Sequence, residues 1–273
     1  MTVFLDALRE ARSRKILAVG IVVSLLFIAL FWLAYSIGFS RLETDNPQDR
    51  AIAATAMTVL GLYAVQFLAA FLAILLSTGA IAAEVDSGRA LSILARPVPR
   101  WSWLVQRTAA FGSLVVAYVV VMVIAVLTIA AGIGGFSALD PGRAIALLIA
   151  EVVFLIAAGV CLSTRLSAIA AGVVVVVAYG LAWLAGIIEF VAATLDNQSL
   201  ERVGIAISLV IPSDALWRSA SYYLQSPALL AAGDFGLPFA STDPPSGWLV
   251  LWGLVYIALL AAAAIWSFRR RDL

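Results

Sequence analysis

Histidine is absent from this chain of 273 residues, cysteine occurs once as Cys161, and lysine once as Lys15. Each scarcity removes a class of chemistry. One cysteine forms no disulfide within the chain. Without histidine, and with a single thiol, a zinc, haem or iron–sulfur site has no ligand set. Ser–His–Asp and Cys–His catalysis fall with the missing imidazole. The lone lysine stands in Arg12-Ser13-Arg14-Lys15-Ile16. It does not close a Gly-rich turn ending in Lys-Ser/Thr, so no phosphate-binding loop is expected here. No cofactor in this chain and no nucleic-acid partner are expected.

Charge is scarce too. Charged residues make up 12% of the chain and apolar residues 64%, with a mean hydropathy of +1.07. A soluble domain carries about 25% charged residues because it must present a polar surface to water. A bilayer reverses that requirement. The expected fold class is therefore all-α integral membrane.

A span needs about 20 apolar residues to cross the hydrocarbon. The long apolar stretches predict six transmembrane helices, at about 16–38, 54–80, 108–132, 144–163, 168–188 and 248–268. The runs at 51–83 and 108–139 exceed one bilayer thickness, so their ends are expected to project or tilt. The first stretch is too long for a signal-peptide core and reads as an uncleaved span. No large soluble domain is expected within 1–273.

Basic residues set the orientation. With the N-terminus in the cytoplasm, twelve of the seventeen Lys and Arg residues fall on the cytoplasmic side. Only Arg41, Arg50, Arg143, Arg202 and Arg218 fall outside. The positive-inside rule then predicts a multi-pass protein of the cell (plasma or inner) membrane with both termini cytoplasmic. Trp248 and Trp266 suit an aromatic belt at the ends of the last span.

Four stretches remain outside the bilayer. Residues 1–15 alternate charge with Val3, Phe4, Leu5 and Leu8, as an amphipathic helix on the inner surface does. Residues 134–143 make a short outer turn. Residues 189–247 form a long outer segment in which 203–211 is apolar but too short to span, as a re-entrant or interfacial helix would be. Ile211-Pro212-Ser213-Asp214 then reads as a stop and an N-cap for a helix through Leu224. The fourth stretch, 84–107, is a charged cytoplasmic loop. Its residues 84–95 can be helical, with Leu91 and Leu94 on one face and Glu84, Asp86 and Arg89 open to a partner. Pro97 forces Arg96 out of the helical region, and Arg100 leads into the third span. Composition alone suits a solvated loop with snorkelling arginines as well as a docking site.

Glu151 is the one acid well inside a span, about 12 Å along the fourth helix from Arg143. An ionisable group at that depth marks a pathway, or else a side chain reaching the outer interface, neutralised, or paired with an outer arginine. Gln66, Tyr63, Thr58 and Thr128 are candidate hydrogen-bonding groups within the bundle. Glu151 and Gln66 are taken together as candidate pathway residues. Glu189, at the end of the fifth span, reads as interfacial, and Arg165 as a positive-inside anchor in the turn between spans four and five.

The loop pattern Glu84, Gly88, then Ile93-Leu94-Ala95-Arg96-Pro97-Val98-Pro99-Arg100 resembles the loop after the second span of type-2 ABC transporter permeases. These are the membrane subunits of ABC exporters. Residues 5–14 are similar to that family's N-terminal elbow helix. Pro212-Ser213-Asp214-Ala215-Leu216-Trp217-Arg218 resembles its segment before the last span, with Pro212, Asp214 and Arg218 in an outer gate region. The permeases of the nitrous-oxide-reductase maturation type are the most similar subgroup. The resemblance implies that 84–100 holds a cytoplasmic coupling helix, with Glu84, Asp86, Gly88, Arg89, Leu91, Leu94, Arg96, Pro97 and Arg100 docking on a separate ATPase subunit. ATP and Mg would then be bound by that partner. It further implies that two copies, or this chain and a related permease, form the substrate pathway among membrane lipid. Export is the implied direction.

A second reading is a non-transporting relative that passes ATP-driven movement to an envelope partner. An intramembrane enzyme would need clustered acids, histidines or a Ser–Lys pair at depth. A secondary transporter would carry more intramembrane charge and broken half-helices.

Overall fold

The computed structural model describes residues 4, 15–42, 46–86, 99–232, 240–241 and 243–270. All regular structure among them is helical: α1 (Lys15–Ser40), α2 (Pro47–Asp86), α3 (Arg100–Gly134), α4 (Pro141–Ser163), α5 (Ala168–Thr194), α6 (Gln198–Val210), α7 (Ser213–Leu224), α8 (Pro227–Ala232) and α9 (Gly247–Arg269). In hydrocarbon every backbone N–H and C=O must be paired within the segment, and a helix does this.

Six stretches are long and apolar enough to span: Ala18–Ser40, Pro47–Gly79, Trp101–Gly134, Pro141–Ser163, Ala168–Ala192 and Gly247–Arg269. The chain is an all-α integral membrane bundle. The helices overrun the lengths expected from hydropathy. At 1.5 Å per residue, α2 with its 40 residues is about 60 Å long and α3 with its 35 residues about 50 Å. Both exceed the roughly 30 Å of hydrocarbon. The long outer segment expected at 189–247 is mostly helical, since α5 continues to Thr194 and α6, α7 and α8 follow.

Local signals place the boundaries. Pro141 opens α4, and the Asp140 side chain caps it by accepting from the Arg143 N–H at 3.0 Å. Asn197 caps α6 through the N–H groups of Ser199 and Leu200. Gly135 ends α3 at φ 63°, a left-handed conformation that glycine adopts without a Cβ clash. The sequence suggests an N-cap around Ser213-Asp214. Instead Pro212 holds that position without a side-chain bond, and Asp214 sits in the first turn of α7.

Helix α2 is central and packs on α1, α3, α4, α5, α7 and α8, while α4 joins α2 to α7 and α9. At Gly159 of α4 the crossing with α2 is tight: a Cβ there would meet the Ser77 hydroxyl and lie 3.2 Å from Thr78 Cγ2. Helix α1 buries little of itself. Its packed face carries Phe27, Phe31, Tyr35 and Phe39, with successive ring centroids 6.1, 5.5 and 6.0 Å apart, and Phe31 lies against Gly61 of α2 and Tyr35 against Gly134 of α3. Between α6 and α7 the chain turns by 101° at Ile211-Pro212. Trp248 and Trp266 are exposed near opposite ends of α9, where an aromatic belt lies.

Candidate functional site

Helix α4 buries Ala144, Leu147, Leu148, Glu151, Val152 and Leu155. That spacing of three and four marks one face of a helix, so Glu151 lies on the packed side. It is fully buried. On α2 the buried face carries Leu62, Val65, Gln66, Ala69 and Ala73. The alanines let the helices approach, and Gln66 Nε2 donates to Glu151 Oε1 at 2.7 Å. The amide oxygen Gln66 Oε1 and the second carboxyl oxygen Glu151 Oε2 are buried without a hydrogen bond among the described residues. Arg143, the nearest outer arginine along α4, pairs with Asp140 at 3.2 Å instead. Glu151 therefore neither reaches the surface nor pairs with Arg143.

Aromatic side chains surround the pair. Tyr63 packs 5.2 Å from Phe67 and 5.3 Å from Trp217, and its hydroxyl accepts from Trp183 Nε1. Phe67 meets Tyr179 edge-on at 5.7 Å. The site thus joins α2, α4, α5 and α7. It sets a buried acid and an amide near π faces, a set suited to holding a polar group inside an apolar bundle.

Pro212, Asp214 and Arg218, expected from the sequence in an outer gate region, gather beside it. Arg218 NH1 bonds Glu189 Oε2 at 2.8 Å and the Gly186 carbonyl at 3.3 Å. Ser208 Oγ donates to Glu189 Oε1 at 2.7 Å. Glu189, read from sequence as interfacial, also ties α5 to α6 and α7. Asp214 is almost fully buried, with Oδ2 unpaired among the described residues. It presses so closely on Gly186 that a Cβ there would clash with the carboxylate. Pro212 makes the bend that brings Asp214 and Arg218 to this place.

The opposite end of the bundle carries a second knot. Trp103 of α3 is fully buried and stacks on Phe268 of α9, centroids 5.6 Å apart and planes at 17°. The Arg107 guanidinium lies 5.5 Å from both the Trp103 and Phe111 rings. Arg165 Nε and Thr164 Oγ1 donate to Ser267 Oγ at 2.8 and 2.9 Å. Arg165 is thus more than a charge anchor, because it joins the α4–α5 turn to α9. A Thr-Arg pair and a distant serine give no sequence signal of this contact.

Of the expected coupling helix, 84–86 belong to the end of α2 and Arg100 opens α3. Gly88, Arg89, Leu91, Leu94, Arg96 and Pro97 lie outside the described residues, as do residues 5–14 of the expected elbow helix.

No curated protein matches this sequence. A family model does: the one described as ABC-2 family transporter protein matches residues 4–273. With that match over a bundle of six spans, the chain belongs to the ABC-2 transporter family, as a multi-pass membrane permease subunit.

Proposed function

We propose that two copies of this chain, or one copy and a related permease, form the substrate pathway of an exporter driven by a separate ATPase subunit. Residues 84–100 dock that subunit, which binds ATP and Mg. The protein lies in the cell (plasma or inner) membrane with both termini and this loop in the cytoplasm, as the distribution of basic residues favours. Arg89, Arg96 and Arg100 there offer charge-assisted contacts to the partner.

The observation that carries the reading is the pair of long helices α2 and α3. They pack along each other and outrun the hydrocarbon. Residues 87–99 therefore join two rigid rods, so a push on the loop displaces both. The Trp103–Phe268 stack would pass that displacement to α9. Helix α5 leaves Val173, Val177, Leu181 and Leu184 exposed, an apolar stripe fit for lipid or a second copy.

The experiment is co-purification with a candidate ATPase subunit, with substrate flux measured on the same preparation. Gly88→Pro, or Glu84→Ala with Arg96→Ala, should leave the protein inserted and stable. The same changes should abolish ATPase binding, or abolish transport while basal hydrolysis persists. Full binding and full flux in both variants would sink the docking assignment. ATP-dependent changes at an envelope partner without any flux would favour the non-transporting reading.

A further inference from the structure

A groove of about 660 Å³ opens where α1 and α3 end and α2 begins. Its walls are mainly apolar, from Phe39, Ala51, Ala54, Ile133 and Phe136, and no carboxylate lines it among the described residues. Arg50 stands at its mouth. The guanidinium lies 5.2 Å from the Phe39 ring centroid and has no acidic partner among the described residues. Ser226 closes the far wall, pinned to Thr55 by a hydroxyl contact of 2.8 Å. The size falls in the range of small-molecule sites, about 300–1,000 Å³.

The position restricts the occupant. All three spans end here on the side away from the loop at 87–99, so the mouth stands at headgroup level and the well runs toward the hydrocarbon. An occupant needs an anionic head for Arg50 and an apolar body for the well. Arginine's planar fork fits phosphate oxygens. We infer that this groove is a binding site for an anionic phospholipid of the outer leaflet, with its phosphate on Arg50 and the start of one acyl chain against Ala54 and Ile133. Bound there, the lipid would hold α1 against α2 and α3 at the outer end.

The inference is independent of ATPase docking, and so is its test. The full chain is purified in maltoside, stripped of lipid and titrated with dioleoyl phosphatidylglycerol, and retained adducts are read by native mass spectrometry. The wild type should retain the lipid. Arg50→Gln should lose it by roughly ten-fold or more, the size expected for a charge-assisted bond, whereas Arg50→Lys should keep most of it. Ser137→Trp, at the exposed rim, should block the well with the charge intact. Thermal unfolding of each variant separates lost binding from lost fold, and Ser137→Trp still decides the matter if Arg50→Gln does not fold. Undiminished retention by Arg50→Gln or by Ser137→Trp would overturn the assignment. Equal retention of dioleoyl phosphatidylcholine would overturn the role of charge. Displacement of the lipid by inorganic phosphate would mark a free-anion site instead.

Discussion

Gln66 Nε2 donates to Glu151 Oε1 at 2.7 Å across 85 residues of sequence, deep in the packing of α2 on α4. Both side chains are buried, so neither can turn to water if the other is lost. Gln66→Leu should therefore destabilise the protein by about 1–3 kcal/mol, the cost of a buried polar group left unpaired. Glu151→Gln keeps a hydrogen-bonding side chain of the same shape and should cost less. Gln66→Leu combined with Glu151→Leu should recover part of the loss. Thermal unfolding in one detergent measures these proteins beside Glu151→Leu alone, and additive losses in the double variant would contradict the pairing. Flux on the same set then separates a pathway role from a packing role. If Glu151→Gln folds normally and transports less, the carboxyl acts on substrate movement.

At the end of the bundle away from Arg218, Ser267 receives both Arg165 and Thr164. Ser267→Ala should cost about 1 kcal/mol, the net worth of a typical hydrogen bond. In an Arg165→Gln background the same change should cost less, because the partner is already gone. Equal costs in the two backgrounds would mean that the contact carries no energy. Phe268→Ala should cost more, about 3–5 kcal/mol, since it empties a buried site against Trp103.

The tight crossing at Gly159 gives a steric prediction. Gly159→Ala places a methyl group against Ser77, whose Cβ is 3.0 Å from the new atom. Overpacking of this kind costs about 1–3 kcal/mol. Ser77→Ala in the same chain removes the nearer hydroxyl and should restore part of the stability. No recovery would show that the helices move apart as bodies.

Orientation is checked by labelling. In a Cys161→Ser background, Ser92→Cys should react with an impermeant thiol reagent only from the cytoplasmic side. Ser199→Cys, exposed in the first turn of α6, should react only from outside. Reaction of both from one side would reject the proposed topology.

How much of this was legible beforehand follows from the physics of each feature. The bilayer demands long apolar runs, so the six spans stand in the sequence whatever their neighbours are. Glu151 is visible as an acid inside such a run. Pro212 marks a break because it cannot donate to the preceding turn. The family likeness rests on the order of short motifs along one chain, and order is a property of sequence.

Partners are a different matter. Helices that are apolar all round carry little signal of which face meets which helix, so the rotation that joins Gln66 to Glu151 is set only when α2 and α4 pack. The same holds for Glu189, which the sequence leaves at an interface and the fold pairs with Arg218 at 2.8 Å. It holds for Arg165, whose charge is plain in sequence and whose serine lies 102 residues away. Hydropathy and charge along the chain determined what enters the membrane. Which polar groups meet inside it was decided by close packing, because a buried donor in hydrocarbon has no water to fall back on and is held by the acceptor that the neighbouring helix presents.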